Sequence, residues 1–446
     1  MGKIDAKSIL FACFLAGGKL LYDKVCKYLE ENEHIDHGII PKKESLTYLD
    51  NQIATTAQQY QEFSMSLLND ILKFPHSFEE KPIDLEKKFM DYLRQTIINK
   101  NAVFSPGDVK YDKNRNLVWM IANPTDPVPF NERKVIFMNS SIKNYEKGSA
   151  RDMQGFVTQF MTSKILLETI EDGSLNGVIV VCSAAMGYHR PYHVFRNTKL
   201  LPDCIIICEP TGDSTQGPLG ISIGQKGYSK IAISFSGDDA KLEELEKLIA
   251  NELQATPMSD ENDPIVGQGS IGIDKTPKDQ DDKDKGTVYV RRNLGLDETW
   301  ENALNEVKSL PTIKAHDEDT SVAVTPVDNV PAWKTPRETR AILAATESYR
   351  RVVSPWAATT TDTEELRVHP FFKERQEPDN LSSYPVREEV PPGFEWVEVT
   401  EGVTPPTFAI GAGFSDTTDE TVRGDHVQAT AAVMSRFPSL FVEEFK

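Results

Sequence analysis

The sequence predicts an α/β chain: a mostly parallel sheet flanked by helices, with a small α+β domain inserted into it. Three observations predict this. Short, almost continuously apolar stretches such as "NGVIVVCSAA" and "DCIIIC" alternate with helical patterns, as buried parallel strands joined by crossover helices do. After Gly227 the patterns follow the order β-α-β-β-α, which suits a split-βαβ, ferredoxin-like unit. From residue 331 onward the first kind of pattern returns.

The elements follow in order. "QQYQEFSMSLLNDILKF" and "LEKKFMDYLRQTIIN" carry apolar residues at helical spacing. "NLVWMIA" reads as a strand, and "RKVIFMNSS" as a second one that ends in small polar residues. "DMQGFVTQFMTSKILLETIEDG" is a long helix stopped by Gly173. "NGVIVVCSAA" and "DCIIIC" are the third and fourth strands, and the latter runs straight into Glu209, Pro210, Thr211 and Gly212. Groups just past the carboxyl ends of such strands line the ligand crevice of an open α/β sheet, so Glu209 is a candidate site residue.

The inserted domain, residues 227–330, begins with the alternating strand "YSKIAISFSG" and the charged amphipathic helix "DAKLEELEKLIANEL". "GSIGID", the acidic loop "KTPKDQDDKDKG", the strand "TVYVRRNLGL" and the helix "ETWENALNEVKSL" complete it. The loop's carboxylates alternate with lysines, which marks a solvated excursion rather than a metal site. The first domain, residues 56–226, resumes over 331–446 with "PTFAIGAGF" as a core strand and "TVRGDHVQATAAVMSRF" as a closing helix. Residues 366–402 form a Pro- and Glu-rich insertion, and residues 1–55 an N-terminal helical extension.

Composition bounds the function. A chain of 446 residues with 39% hydrophobic and 26% charged residues is a globular protein with room for more than one domain. A formal net charge of −19 argues against nucleic acid as a partner. The five cysteines, Cys13, Cys26, Cys182, Cys204 and Cys208, have no zinc-type spacing and make no even disulfide framework, which points to an intracellular setting. Residues 8–23 contain an apolar run from Ile9 to Ala16 broken by Lys19, short of the roughly 20 residues a spanning helix needs. Two readings stand: a short membrane anchor with snorkelling lysines, or an amphipathic helix docked on a partner. A mitochondrial inner-membrane location is the expectation attached to the first.

The motifs "SARDMQG", "CEPTG", "GQKGY", "GTVYVRRNLGLDET" and "PTFAIGAGF", in this order, resemble the di-zinc amidohydrolases and exopeptidases. That family includes acetylornithine deacetylase, succinyl-diaminopimelate desuccinylase, aminoacylase and the YgeY-like hydrolases. The resemblance covers roughly residues 56 to 446 and implies a zinc-exopeptidase-like α/β domain with an inserted lid. It also implies a metal site, most of which is replaced. The family's His-x-Asp falls on Asn139 and Ser141, and its Glu-Glu pair of general base and ligand falls on Ala184 and Ala185. The bridging aspartate matches Asp152 and the next ligand Glu209, while the last histidine falls on Asp416. A lid histidine that serves the substrate carbonyl has no counterpart.

Zinc prefers imidazole, thiolate and carboxylate with one position open for water, and an alanine methyl cannot deprotonate that water. The expectation is therefore no catalytic residue, no metal and no cofactor, the remnant positions being Asn139, Asp152, Ala185, Glu209 and Asp416. Asp152 also suits a helix start as an N-terminal carboxylate, and Glu209 suits a turn as an acceptor of backbone amides. A hard-cation site of Asp152, Glu209, Asn139 and Asp416 is open, since all four offer oxygen. His189 and His193 lie four apart, but Pro191 between them spoils a zinc-binding helix. The function expected is a catalytically inactive, hydrolase-fold structural or assembly subunit that binds other protein subunits and makes membrane contact through residues 8–23. The alternatives are a metal-dependent amidohydrolase with an altered site and a binding protein for an amino-acid-like ligand.

Overall fold

A computed structural model describes residues 46–74, 82–100, 109–111, 116–142, 150–186, 200–212, 219–235, 239–256, 269–273, 287–317, 322–330, 332–353, 371–375, 405–413 and 422–443. The expectations for residues 8–23, His189, His193 and Asp416 lie outside the described residues, as does all of the 366–402 insertion except residues 371–375.

The chain enters through two short helices, α1 (Tyr48–Gln59) and α2 (Gln61–Leu72), where the sequence pattern suggests one helix from residue 58. Thr47 starts α1 with a capping box: its hydroxyl accepts from the Asp50 amide while Asp50 accepts from the Thr47 amide. The boundary expected after residue 55 falls within this helix. The compact unit begins at Ser45, and α1 already places Ile53, Ala54 and Ala57 in the core. α1 meets the core mainly through Ile53 and the small Ala54 and Ala57 among polar residues, so it lacks the strong apolar stripe that marks a helix in sequence.

Helix α3 (Pro82–Lys100) follows, then β1 (Lys110–Tyr111), β2 (Leu117–Ala122), β3 (Lys134–Ile142), α4 (Ala150–Glu168), β4 (Val178–Met186), β5 (Cys204–Cys208) and β6 (Gly220–Gln225). The later strands of the large sheet are β11 (Trp333–Lys334), β12 (Phe371–Arg375) and β13 (Thr407–Ala409), with α8 (Arg340–Val352) and α9 (Gly424–Val442) as the remaining helices. The sheet order is β1-β2-β4-β3-β5-β13-β6-β11, with β12 also on β6. β4, β3, β5 and β13 run parallel, and the antiparallel pairs lie toward the edges. This is the mostly parallel sheet expected.

Strand alternation divides the side chains between two faces. One face, with Ile136, Met138, Val180, Cys182 and Ile206, joins α1, α2, α3, α4, α8 and α9 in the main core. The other carries Val135, Phe137, Ile179, Val181, Ile205, Ile207 and Ala409. α9 is buried almost end to end, from His426 to Phe441, because neighbouring helices and the sheet enclose it on all sides.

The second sheet is built wholly from residues 227–330. It contains β7 (Gly227–Phe235), β8 (Ser270–Ile273), β9 (Thr287–Leu294) and β10 (Val322–Val330), with α5 (Asp239–Ala255), α6 (Trp300–Lys308) and α7 (Pro311–Asp317). All its pairs are antiparallel and the order is β10-β7-β9-β8, so the first and third strands of the unit are central. Its helices pack on one face, against Ile231, Ile233, Val288 and Val290. β6 and β7 are separated only by Lys226, so this sheet grows directly out of the large one.

Candidate functional site

The register of the parallel strands sets Asn139, Ser141, Ala185 and Glu209 at neighbouring strand ends. Asn139 pairs with Ser183 on one side and Ile207 on the other, and Ser141 pairs with Ala185. Glu209 follows Cys208, which is level with Ser140. Counting by twos from Phe137, Val181 and Ile207 places Asn139, Ser183 and Glu209 at the carboxyl ends of neighbouring strands on one face. Ala184 takes the opposite face: it pairs with Ser140 and is fully buried in the core shared with α4.

Asn139 and Ser183 are each fully buried. The Ser183 hydroxyl donates to Asn139 Oδ1 at 2.5 Å, while Asn139 Nδ2 has no hydrogen-bond partner among the described residues. On the helix side a second polar chain runs beneath the same strand ends. The Ser140 hydroxyl donates to Gln159 Oε1 at 2.9 Å, and Gln159 Nε2 donates to the carbonyls of Met138 (2.7 Å) and Ser183 (3.1 Å). Trp119 Nε1 donates to the Ser163 hydroxyl at 2.9 Å, and that hydroxyl reaches the Gln159 carbonyl. These bonds satisfy side chains that water cannot reach. Ser183 and Gln159 carry no motif that marks them in sequence; the polar ending of "RKVIFMNSS" is the available signal.

The turn that carries Glu209 is fixed tightly. A Cβ on Gly411 would stand 1.9 Å from the Glu209 carbonyl oxygen, so only glycine lets the two backbones meet. Thr211 Oγ1 donates to the Gly220 carbonyl at 2.8 Å and accepts from the Gly411 amide at 3.1 Å, and the Gly212 amide donates to the Gly413 carbonyl at 2.8 Å. α4 closes on the same turn at Gly155, where a Cβ would meet the Cys208 carbonyl at 2.1 Å. Asp152 lies one turn before the Gly155 contact, in the first turn of α4. The Glu209 side chain is half-buried.

Cys182, Cys204 and Cys208 are buried and free. Burial pushes the Cys182 thiol up to about 12, and the thiols of Cys204 and Cys208 well above their ordinary value, so they stay protonated at neutral pH.

Among the described side chains, those at the strand ends do not make a ligand set for a pair of zinc ions. Asn139 is a neutral amide whose oxygen is engaged by Ser183 and whose nitrogen can only donate. Ala184 turns its methyl into the core, and Ala185 offers no donor atom. Among the described side chains, no group of three His, Cys, Asp or Glu is arranged to hold a metal ion.

No protein-family model and no curated protein sequence matches the chain. Solved structures do. The dipeptidase Dug1p of Saccharomyces cerevisiae matches with a TM-score of 0.56 at 9% identity, over 88% of this chain and 98% of that one. Human carnosine dipeptidase 1 matches with a TM-score of 0.55 at 11% identity, over 89% of this chain and 99% of that one. The M20 family metallo-carboxypeptidase Sso-CP2 of Sulfolobus solfataricus matches with a TM-score of 0.51 at 12% identity, over 84% and 98%. At these identities the likeness is one of fold: the chain has the α/β architecture of the M20 family peptidases, as the sequence motifs imply.

Proposed function

We propose that this protein keeps a metallopeptidase-like hydrolase fold without its metal-dependent catalysis and serves as a structural or assembly subunit of a larger complex. One observation carries the reading. The strand ends that would present ligands and base instead present a Ser183-bound asparagine at 139, a core-facing alanine at 184 and a second alanine at 185. Without a base within reach of a metal-bound water, a loss of about 10²–10⁴-fold in rate is expected from that change alone. The scaffold around Glu209 is nonetheless held rigidly, which suits a fold retained for its surfaces. The apolar run within residues 8–23 is the proposed contact with a membrane or a partner, and an intracellular, mitochondrial inner-membrane setting belongs to the same reading. Among the described residues no helix is long and apolar enough to cross a membrane.

The test is hydrolysis of N-acyl amino acids and dipeptides by the full chain with Zn²⁺, Co²⁺ or Mn²⁺ added, alongside native-gel analysis of the protein drawn from its own cells. No turnover and migration within a larger assembly are expected. Metal-dependent turnover that disappears in Asp152→Ala would overturn the reading.

A further inference from the structure

The turn that leads from α4 into β4 contains Asn176 and Gly177, the only Asn-Gly pair in the sequence. Such a pair is chemically fragile. The backbone nitrogen of the second residue can attack the carboxamide carbon of the first, because glycine has no Cβ to screen that nitrogen. Asn176 is exposed and Gly177 half-buried, so water has access to the pair. Two contacts from the β2–β3 connection oppose the reaction.

The first holds the nitrogen. The Gly177 amide donates to Asp126 Oδ2. The Asp126 side chain is fully buried, accepts from the Val128 amide at 2.9 Å, and lies 3.7 Å from Arg133 Nε. Attack requires the Gly177 amide to give up its proton, and a carboxylate bonded to that proton disfavours the resulting anion. Arg133 fixes the connection around Asp126 by donating to the carbonyls of Asn123, Asp126 and Val128. The second contact holds the carboxamide. Asn123 Oδ1 accepts from the Thr125 amide at 3.0 Å, which turns Asn123 Nδ2 to donate to Asn176 Oδ1 at 3.1 Å. The Gly177 carbonyl is tied to β3 as well, accepting from the Lys134 amide at 2.9 Å.

We propose that Asn176 is a deamidation site held closed by Asp126 and Asn123, and that it reacts when this turn opens. In the reaction the Gly177 nitrogen loses its proton and bonds to Asn176 Cγ, the Cγ–Nδ2 bond breaks, and ammonia leaves. Water then opens the cyclic imide at either carbonyl, which leaves aspartate or isoaspartate at position 176. Both products carry a negative charge that the carboxamide lacked, close to the Asp126 carboxylate. Isoaspartate also lengthens the backbone by a methylene immediately before β4, whose far end carries Ser183 and Ala185. The turn no longer closes as before, and a transient opening becomes a permanent mark on the chain. This site lies at the opposite end of β4 from the strand-end crevice, so the inference stands whether or not that crevice is catalytic.

The test is mass spectrometry of the fragment containing Asn176 after the full chain is incubated at mildly alkaline pH, beside a synthetic peptide of residues 172–181. The folded chain should deamidate about tenfold or more slowly than the peptide, since only its open fraction reacts. Urea well below the unfolding midpoint should speed the reaction, because a local opening precedes global unfolding. Asp126→Ala should speed it by about tenfold or more, Asn123→Ala should also speed it, and Asn176→Gln should give no product. Thermal melts show which variants are folded; if Asp126→Ala is not, the parent's rates against the peptide and in urea still decide. Deamidation of the folded parent at the peptide's rate would overturn the proposal, as would a folded Asp126→Ala that reacts no faster than the parent. A rate that rises only with global unfolding would overturn it too.

Discussion

At the scale of single residues, Asp50 shows what holds this fold together. Its carboxylate is fully buried, donated to by Arg436 Nε and within 3.6 Å of the Arg351 guanidinium. Burial pushes its pKa up, but the charge and hydrogen bond of Arg436, with the hydrogen bonds of Thr47, outweigh that and hold it below the ordinary carboxylate value. Asp50→Asn would leave Arg436, itself 2% exposed, without its buried counter-charge. Losing one partner of such a pair costs about 3–5 kcal/mol, so urea unfolding at pH 7 should show a loss of that order. The sign with pH follows from the lowered pKa. The carboxylate's contribution is fully present above the ordinary value of 3.8 and is lost as pH falls through the depressed native one. The parent should therefore lose stability relative to Asp50→Asn in that acid range, and an unchanged difference there would contradict this account of Asp50. None of this was legible in sequence, since Asp50 and Arg436 lie far apart in the chain and only the packing of α1 on α9 joins them.

At the scale of elements, the central parallel strands were read well, whereas β6, β10 and the first helix were not. "DCIIIC" and "NGVIVVCSAA" are buried on both faces, so their continuous apolar character survives in sequence as a clean signal. α1 is different: Ala54, Thr56 and Ala57 meet the core through small side chains, and a polar-looking helix results. Its place in the fold decides where the protein can be shortened. A chain beginning at Ser45 keeps the Thr47–Asp50 capping box and the Asp50–Arg436 pair; one beginning at Asn51 loses both. Loss of a cap costs about 1 kcal/mol on top of the broken pair. The 45–446 protein should melt cooperatively near the parent's temperature, and the 51–446 protein well below it. Equal melting temperatures would show that α1 adds little, and the boundary would return to the one suggested by sequence.

At the scale of the whole molecule, the architecture followed from sequence because alternation of buried strands with helices is a property of many residues at once. The β-α-β-β-α order after Gly227 supplied three of the four strands of the antiparallel sheet, and β10 was not read from sequence. The site was legible only in part. The motif order located Asn139, Ser141, Ala185 and Glu209 on strand ends that the register does bring together. Which face each side chain takes, and the pairing of Asn139 with Ser183, depended on that register and could not be read from one chain. The central claim is that these strand ends no longer hold metal, and elemental analysis of the full protein purified without chelators tests it most directly. Far less than one zinc or other transition metal per chain is predicted, because one engaged amide, two alanines and the remaining carboxylates cannot match the imidazole and carboxylate set that zinc prefers. Stoichiometric zinc that survives gel filtration would contradict the account.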